Sequence, residues 1–158
     1  MAVIFTVTEA LDKMKKFCAY QERSQLEVRQ KLYQSSFKGE DAEFVISELI
    51  KENFLNEERF ARSFARGKFR MKHWGKIRIK LELQQKGISE SCIRKGLSEI
   101  QDGEYQKVAA AILKKLAKES KPKTQKEKWQ LMSKLRAKGF ETDVIELVWK
   151  EILTEEIN

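Results

Sequence analysis

Residues 76–88 read KIRIKLELQQKGI, and residues 128–140 read KWQLMSKLRAKGF. A shift of 52 residues pairs Ile77 with Trp129, Ile79 with Leu131, Leu83 with Leu135, Lys86 with Lys138, Gly87 with Gly139 and Ile88 with Phe140. The match continues through Ile93 with Ile145 and Leu97 with Trp149. Apolar positions stay apolar, and a glycine follows a lysine at the end of each stretch, as left-handed glycines do when they close helices. Toward the N-terminus a shift of 51 pairs Leu26 with Ile77, Val28 with Ile79, Leu32 with Leu83 and Phe37 with Ile88, after which three extra residues change the register. The pattern predicts a repeat of about 50 residues. Each unit would bury little alone, so its stability must come from stacking on a neighbour.

Helix-start signals subdivide each repeat. Ser24-Gln25-Leu26-Glu27 and Thr124-Gln125-Lys126-Glu127 fit the capping box, in which a hydroxyl and a carboxylate each satisfy an orphan backbone N–H. Asn56 before Glu57-Glu58, and Ser89 before Glu90, supply further N-caps with acids placed favourably against the helix dipole. Together these predict helices near 8–21, 24–35, 41–52, 57–72, 76–86, 90–101, 104–119, 125–138 and 142–153. They fall into three groups of three, with repeats at 1–56, 57–103 and 104–158. Seven Gly and one Pro in 158 residues are too few for the turns of a strand-rich fold, so the expected class is all-α. With 41% hydrophobic and 35% charged residues, an elongated helical body with much solvated surface satisfies both figures.

The net charge of +8 is zoned, with +3 over residues 1–39, −6 over 40–58, +9 over 59–80, −1 over 81–113, +8 over 114–138 and −5 over 139–158. Such zoning steers a protein onto a polyanion or an acidic groove, or else it is simply two solvated helical faces. Catalytic equipment is sparse. There is no GxxxxGK[ST] phosphate loop, GxGxxG, HExxH or CxxC, and His73 is the single histidine. Glu57-Glu58 sits where helix starts commonly carry acids. No catalytic residue, cofactor or metal is therefore expected, and the chain reads as a non-enzyme. Cys18 and Cys92 suggest no disulfide framework, and the opening apolar run from Met1 to Val7 lacks a basic leader. No apolar run approaches the roughly 18 residues that a membrane span requires. A cytoplasmic protein without a membrane partner is expected.

The stretch from Glu58 to Lys72 carries the most chemistry. At about 100° per residue, Arg59, Arg62, Arg66 and Arg70 share one arc of a helix, opposite Phe60, Phe64 and Met71. Arginine forks bind phosphate or carboxylate bidentately, so this line suits a nucleic-acid backbone or an acidic protein groove; alternatively it is a solvated face paired with the acids of 40–58. Lys76, Arg78 and Lys80 continue the basic run. On that helix Ile79 and Leu83 form one apolar arc and Ile77 and Leu81 another, so Lys80 either snorkels off the core or lines a groove. Trp74 could stack on a base, whereas Trp129 and Trp149 hold repeat positions of core residues. Lys114, Lys115, Lys118, Lys121, Lys123, Lys126 and Lys128 surround the only proline, Pro122. These lysines could track phosphates, or belong to an exposed linker. The candidate partner-binding residues are Arg59, Arg62, Arg66, Arg70, Lys76, Arg78, Lys80, Lys123, Lys126 and Lys128.

Three further segments belong together: Cys18-Ala19-Tyr20-Gln21-Glu22-Arg23-Ser24 with Glu27-Val28-Arg29 and Lys31-Leu32, then Leu55-Asn56-Glu57-Glu58-Arg59-Phe60-Ala61, and Gly75 with Ile77-Arg78-Ile79, Leu83 and Lys86-Gly87-Ile88. In combination they resemble the RecX-type regulatory proteins, modulators of the RecA recombinase. The departure is Asn56-Glu57, where the family usually carries an Asp pair; Asn caps a helix equally well. The resemblance implies a curved array of three tandem three-helix units lying in the groove of the RecA filament. It also implies a limit on filament assembly and activity. The expected protein is a monomer that restrains filament assembly, ATP hydrolysis and strand exchange, in recombination, DNA repair and the SOS response, and single- or double-stranded DNA is its second expected partner. Two other readings stay open: a stand-alone helical DNA-binding protein, for which base-reading Asn and Gln are scarce, and a helical-repeat adaptor.

Overall fold

The computed structural model describes residues 6–157, with side chains through Glu155; most of the opening apolar run lies outside these. Nine helices and no strand occur among the described residues: α1 Val7–Tyr20, α2 Gln25–Gln34, α3 Gly39–Lys51, α4 Glu57–Lys72, α5 Lys76–Gln85, α6 Glu90–Leu97, α7 Asp102–Ser120, α8 Gln125–Ala137 and α9 Thr142–Ile157. The all-α expectation holds. The sixth helix is shorter than expected, because the chain leaves α6 in a tight turn, Ile100 N–H to Leu97 carbonyl at 3.1 Å, which buries Ile100.

Local chemistry explains the boundaries. Ser24 and Glu27 form the full capping box, at 3.1 Å and 3.3 Å. The second box forms only in part: Thr124 Oγ1 accepts the Glu127 N–H at 3.1 Å, but the Glu127 carboxylate takes the Lys123 N–H, one residue too early. Asn56 and Ser89 cap α4 and α6 through the N–H groups of Arg59 and Cys92. Gly87 and Gly139 lie at φ +75° and +99°, and the next residues, Ile88 and Phe140, each donate to the carbonyl five positions back, Leu83 or Leu135. The first repeat closes α2 identically, with Phe37 N–H to Leu32 carbonyl at 2.9 Å, yet puts Ser36 at φ +60° where its successors use glycine. The first repeat thus keeps the turn without the glycine, at a strain of about 1–2 kcal/mol for a non-glycine residue there.

The chain divides into two compact units, Met1–Phe64 with Glu82–Gly96 and Ala65–Leu81 with Leu97–Asn158. In the first, α3 packs against α1 and α2 around Met14, Val28, Leu32, Val45, Ile46 and Leu49, all buried. The start of α4 meets α6 at Gly96, where an added Cβ would lie 2.7 Å from the Ala61 carbonyl oxygen. In the second, α7 packs against α8 and α9 through Ala109, Leu113, Leu131, Leu135, Ile145 and Val148.

The second unit also contains an unusual backbone junction. The start of α5 needs acceptors for its free N–H groups, and the end of α8 needs donors for its free carbonyls. They satisfy one another: Gly75 N–H donates to the Lys138 carbonyl at 2.8 Å, and Ile77 N–H to the Gly139 carbonyl at 3.0 Å. Between them the Lys76 N–H donates to the Tyr105 hydroxyl at 2.9 Å, and that hydroxyl donates to the Glu141 carboxylate. Tyr105 is 2% exposed and packs in tilted contact with the rings of Phe69 and Phe140, with ring centres 5.8 Å and 5.0 Å away. Burial, followed by the bond to Glu141, drives its phenol well above the ordinary tyrosine range.

Candidate functional site

The α4 arginines are distributed between the two units and largely committed to internal carboxylates. Arg59 pairs with Glu22 at 2.6 Å and donates to the Asn53 and Phe54 carbonyls, at 3.0 Å and 3.3 Å, so it clasps the loop before α4. Arg62 pairs with Glu58 one turn earlier, at 3.0 Å; hydrogen bonding to Arg62, then the Lys95 charge, holds the Glu58 carboxyl below its usual range. In the second unit Arg66 pairs with Glu99 at 3.4 Å, and Arg70 is exposed. The expected apolar side opposite these arginines is corrected in part. Phe60 is buried, but Phe64 is half-buried and Met71 is 80% exposed; Ala61, Ala65 and Phe69 complete the buried stripe instead. Glu57 is structural as well, accepting the Ser89 N–H at 2.8 Å.

The basic residues of α5 are similarly placed. Lys76 reaches Asp102 at 3.4 Å and lies over the Tyr105 ring, and Arg78 lies 4.0 Å from the centre of the Trp74 ring. Lys80 is half-buried. Ile79 and Leu83 are fully buried, whereas Ile77 and Leu81 are 47% and 54% exposed, so the second apolar arc faces solvent. Trp129, the repeat partner of Ile77, is exposed too, at 63%, contrary to its expected place in the core.

Charge divides unequally between the units. The first holds thirteen Lys plus Arg against thirteen Asp plus Glu, the second nineteen against eleven, so the whole excess of +8 resides in the second. Part of it surrounds a cleft of about 570 Å³ between α7, the α7–α8 loop and α9. Five lysines line it, Lys114, Lys118, Lys121, Lys123 and Lys128, over an apolar floor that includes Trp149 and Ile152. Lys114 pairs with Glu155 at 2.7 Å, and among the described residues no carboxylate lines the cleft. Lys121, at φ +47°, and Pro122 reverse the chain so that lysines from before and after the loop meet. Of the predicted residues, Lys123 and Lys128 come together here, while Lys126 is exposed outside the lining. Trp149, Lys114, Lys118 and Lys121 were absent from the predicted set. Their signal was the lysine run itself, placed within reach of the third-repeat tryptophan only by the packing of α9.

No group of three or more potential metal-ligating side chains occurs among the described residues, and no helix there is long and apolar enough to cross a membrane. Cys18 and Cys92 are free thiols, the first buried, with burial raising it to about 11.

Nine helices among the described residues, with recurring turn closures and the basic excess confined to one unit, define an all-helical repeat protein of uneven charge. The family model described as RecX, second three-helix domain, matches residues 56–97. The Regulatory protein RecX of Prosthecochloris aestuarii is 30% identical over 146 residues, covering 92% of this chain and 95% of that protein. The protein of the same name from Oceanobacillus iheyensis is 33% identical over 141 residues, and that from Lactobacillus gasseri 29% identical over 146. This chain spans about half the length of those two, 52% and 54% respectively. The crystal structure of RecX from Lactobacillus salivarius has the same fold, with a TM-score of 0.83 at 24% identity over 92% of this chain and 95% of that one. The chain belongs to the RecX family of regulatory proteins.

Proposed function

We propose that this chain is a non-enzymatic regulator of the RecA recombinase, acting as a cytoplasmic monomer that binds the RecA filament and its DNA and restrains assembly, ATP hydrolysis and strand exchange. The observation that carries this reading is the match along nearly the whole of the Prosthecochloris aestuarii regulatory protein. The charge distribution supports it, because a partner presenting phosphates or acidic side chains is attracted to the second unit. Three-helix units at 1–56, 57–103 and 104–158 are the proposed building blocks, and differential affinity for one filament state is the proposed leverage.

The basic residues of α4 and α5 would contribute by exchanging internal carboxylates for those of the partner or for phosphates. Arg62 and Arg66 give the test. Their pairs with Glu58 and Glu99 are partly exposed, at 3.0 Å and 3.4 Å, so replacing both by Ala should cost less than about 1 kcal/mol in a denaturant melt. Binding should suffer far more. If both contact phosphate, the log–log salt dependence of single-stranded DNA binding flattens by roughly 1.4. If both contact carboxylates on RecA, filament binding weakens while bare-DNA affinity holds. A folded double variant that restrains RecA as well as its parent removes these two residues from the interface.

A further inference from the structure

We infer that the lysine-rimmed cleft of the second unit is a single-strand binding subsite that takes an unstacked nucleobase against Trp149 and its flanking phosphates on Lys118, Lys121, Lys123 and Lys128. The inference rests on the reading above only in taking DNA as a partner; it adds where and in what form the strand binds.

Three observations converge. The cleft, about 570 Å³, is within the size range of small-ligand sites and holds both an aromatic surface and several cations. Base–aromatic stacking combined with backbone-tracking charge is how proteins hold single strands without reading sequence. The lining cations are all lysine, flexible point charges suited to phosphates at variable positions rather than to one planar carboxylate. Finally, one of the five, Lys114, has a carboxylate partner at 2.7 Å, and among the described residues no acid belongs to the lining, the Glu127 carboxylate being bound to the Lys123 N–H. Among the described residues the side chains of Lys118, Lys121, Lys123 and Lys128 thus have no carboxylate partner, in contrast to Arg59, Arg62 and Arg66 of α4. A duplex is a poor fit, because its bases are stacked inward and cannot reach an apolar floor. A free nucleotide shares the chemistry, but a single phosphate group leaves most of the lysines unused.

The test is fluorescence-anisotropy titration of a labelled oligothymidylate over a salt series, on full-length chains whose folding is checked by circular dichroism. Lys118→Gln with Lys121→Gln, both at exposed positions, should flatten the log–log salt slope by about 1.4, which is roughly 25-fold in affinity at 0.1 M salt. Trp149→Leu keeps apolar bulk on α9 and removes the stacking surface. It should weaken binding roughly tenfold at every salt concentration and leave the slope alone. Unchanged affinity and slope in the folded lysine variant, or no oligothymidylate binding by the parent, overturns the subsite. Full affinity in a folded Trp149→Leu variant overturns the stacked base. Thymidine monophosphate competing as well as the strand, nucleotide for nucleotide, overturns the strand assignment. Intact strand binding through the cleft by a parent that leaves RecA untouched supports the subsite while discarding the RecA reading.

Discussion

Gly75→Ala should unfold the second unit or cost it at least about 3 kcal/mol, although a single methyl group is added. A Cβ at this position falls inside the van der Waals envelope of the Gly139 carbonyl and the Phe140 nitrogen. Those are backbone atoms, which cannot swing aside as a side-chain tip would. Relief requires moving the start of α5 off the end of α8, which breaks the Gly75–Lys138 and Ile77–Gly139 hydrogen bonds together. Overpacking alone typically costs about 1–3 kcal/mol, and each buried backbone group left without a partner adds about 1–3 kcal/mol. Gly87→Ala is the comparison. Nothing stands within 4 Å of its Cβ, so only the strain of φ +75° opposes it, about 1–2 kcal/mol. Chemical denaturation of the two variants side by side measures the difference; equal stability would mean that the α5–α8 junction is loose.

Tyr105 gives the second large effect and a pH signature. Tyr105→Phe keeps the ring contacts with Phe69 and Phe140 but strips the hydroxyl that accepts from Lys76 and donates to Glu141. Two partly buried groups lose a partner, for an expected loss of about 1–3 kcal/mol. The alkaline behaviour follows from linkage. Because the folded phenol is raised above its ordinary value of 10, the neutral form is favoured in the fold, and the unfolded chain loses the proton first. The contribution is fully present below pH 10 and is lost as pH rises from there toward the folded value, at up to about 1.4 kcal/mol per pH unit. Urea melts between pH 9 and 11 should therefore fall less steeply with pH for Tyr105→Phe than for the parent, roughly over the window where tyrosine titrates. Parallel slopes would place the Tyr105 phenol in contact with solvent.

Both effects depend on contacts that local sequence rules do not encode. The repeat was legible because Ile79, Leu83, Leu131 and Leu135 keep their spacing and are all fully or nearly fully buried. The caps were legible because Ser24, Asn56 and Ser89 act on their own first turns. The Tyr105–Glu141 bond and the Gly75–Lys138 dock join residues 36 and 63 positions apart, and no periodicity announces them. Amphipathic spacing misplaced Met71 and the repeat pairing misplaced Trp129, while the two apolar arcs of α5 did not say which one its neighbours cover, and Ile77 and Leu81 are the exposed pair. The arginine line was real as a spacing, but its meaning depended on acids from elsewhere: Glu22 and Glu99 come from outside α4 and occupy Arg59 and Arg66. The cleft needed α9 to bring Trp149 under lysines more than twenty residues earlier.

RecA filaments assembled on single-stranded DNA, titrated with this protein at fixed salt and followed by DNA-dependent ATP hydrolysis with filament length read by electron microscopy, test the central claim most directly. The account predicts that hydrolysis falls and filaments shorten at protein concentrations too low to coat the bare DNA. Unchanged hydrolysis and length until the DNA itself is saturated would contradict it and leave a basic helical-repeat protein that merely competes for the strand.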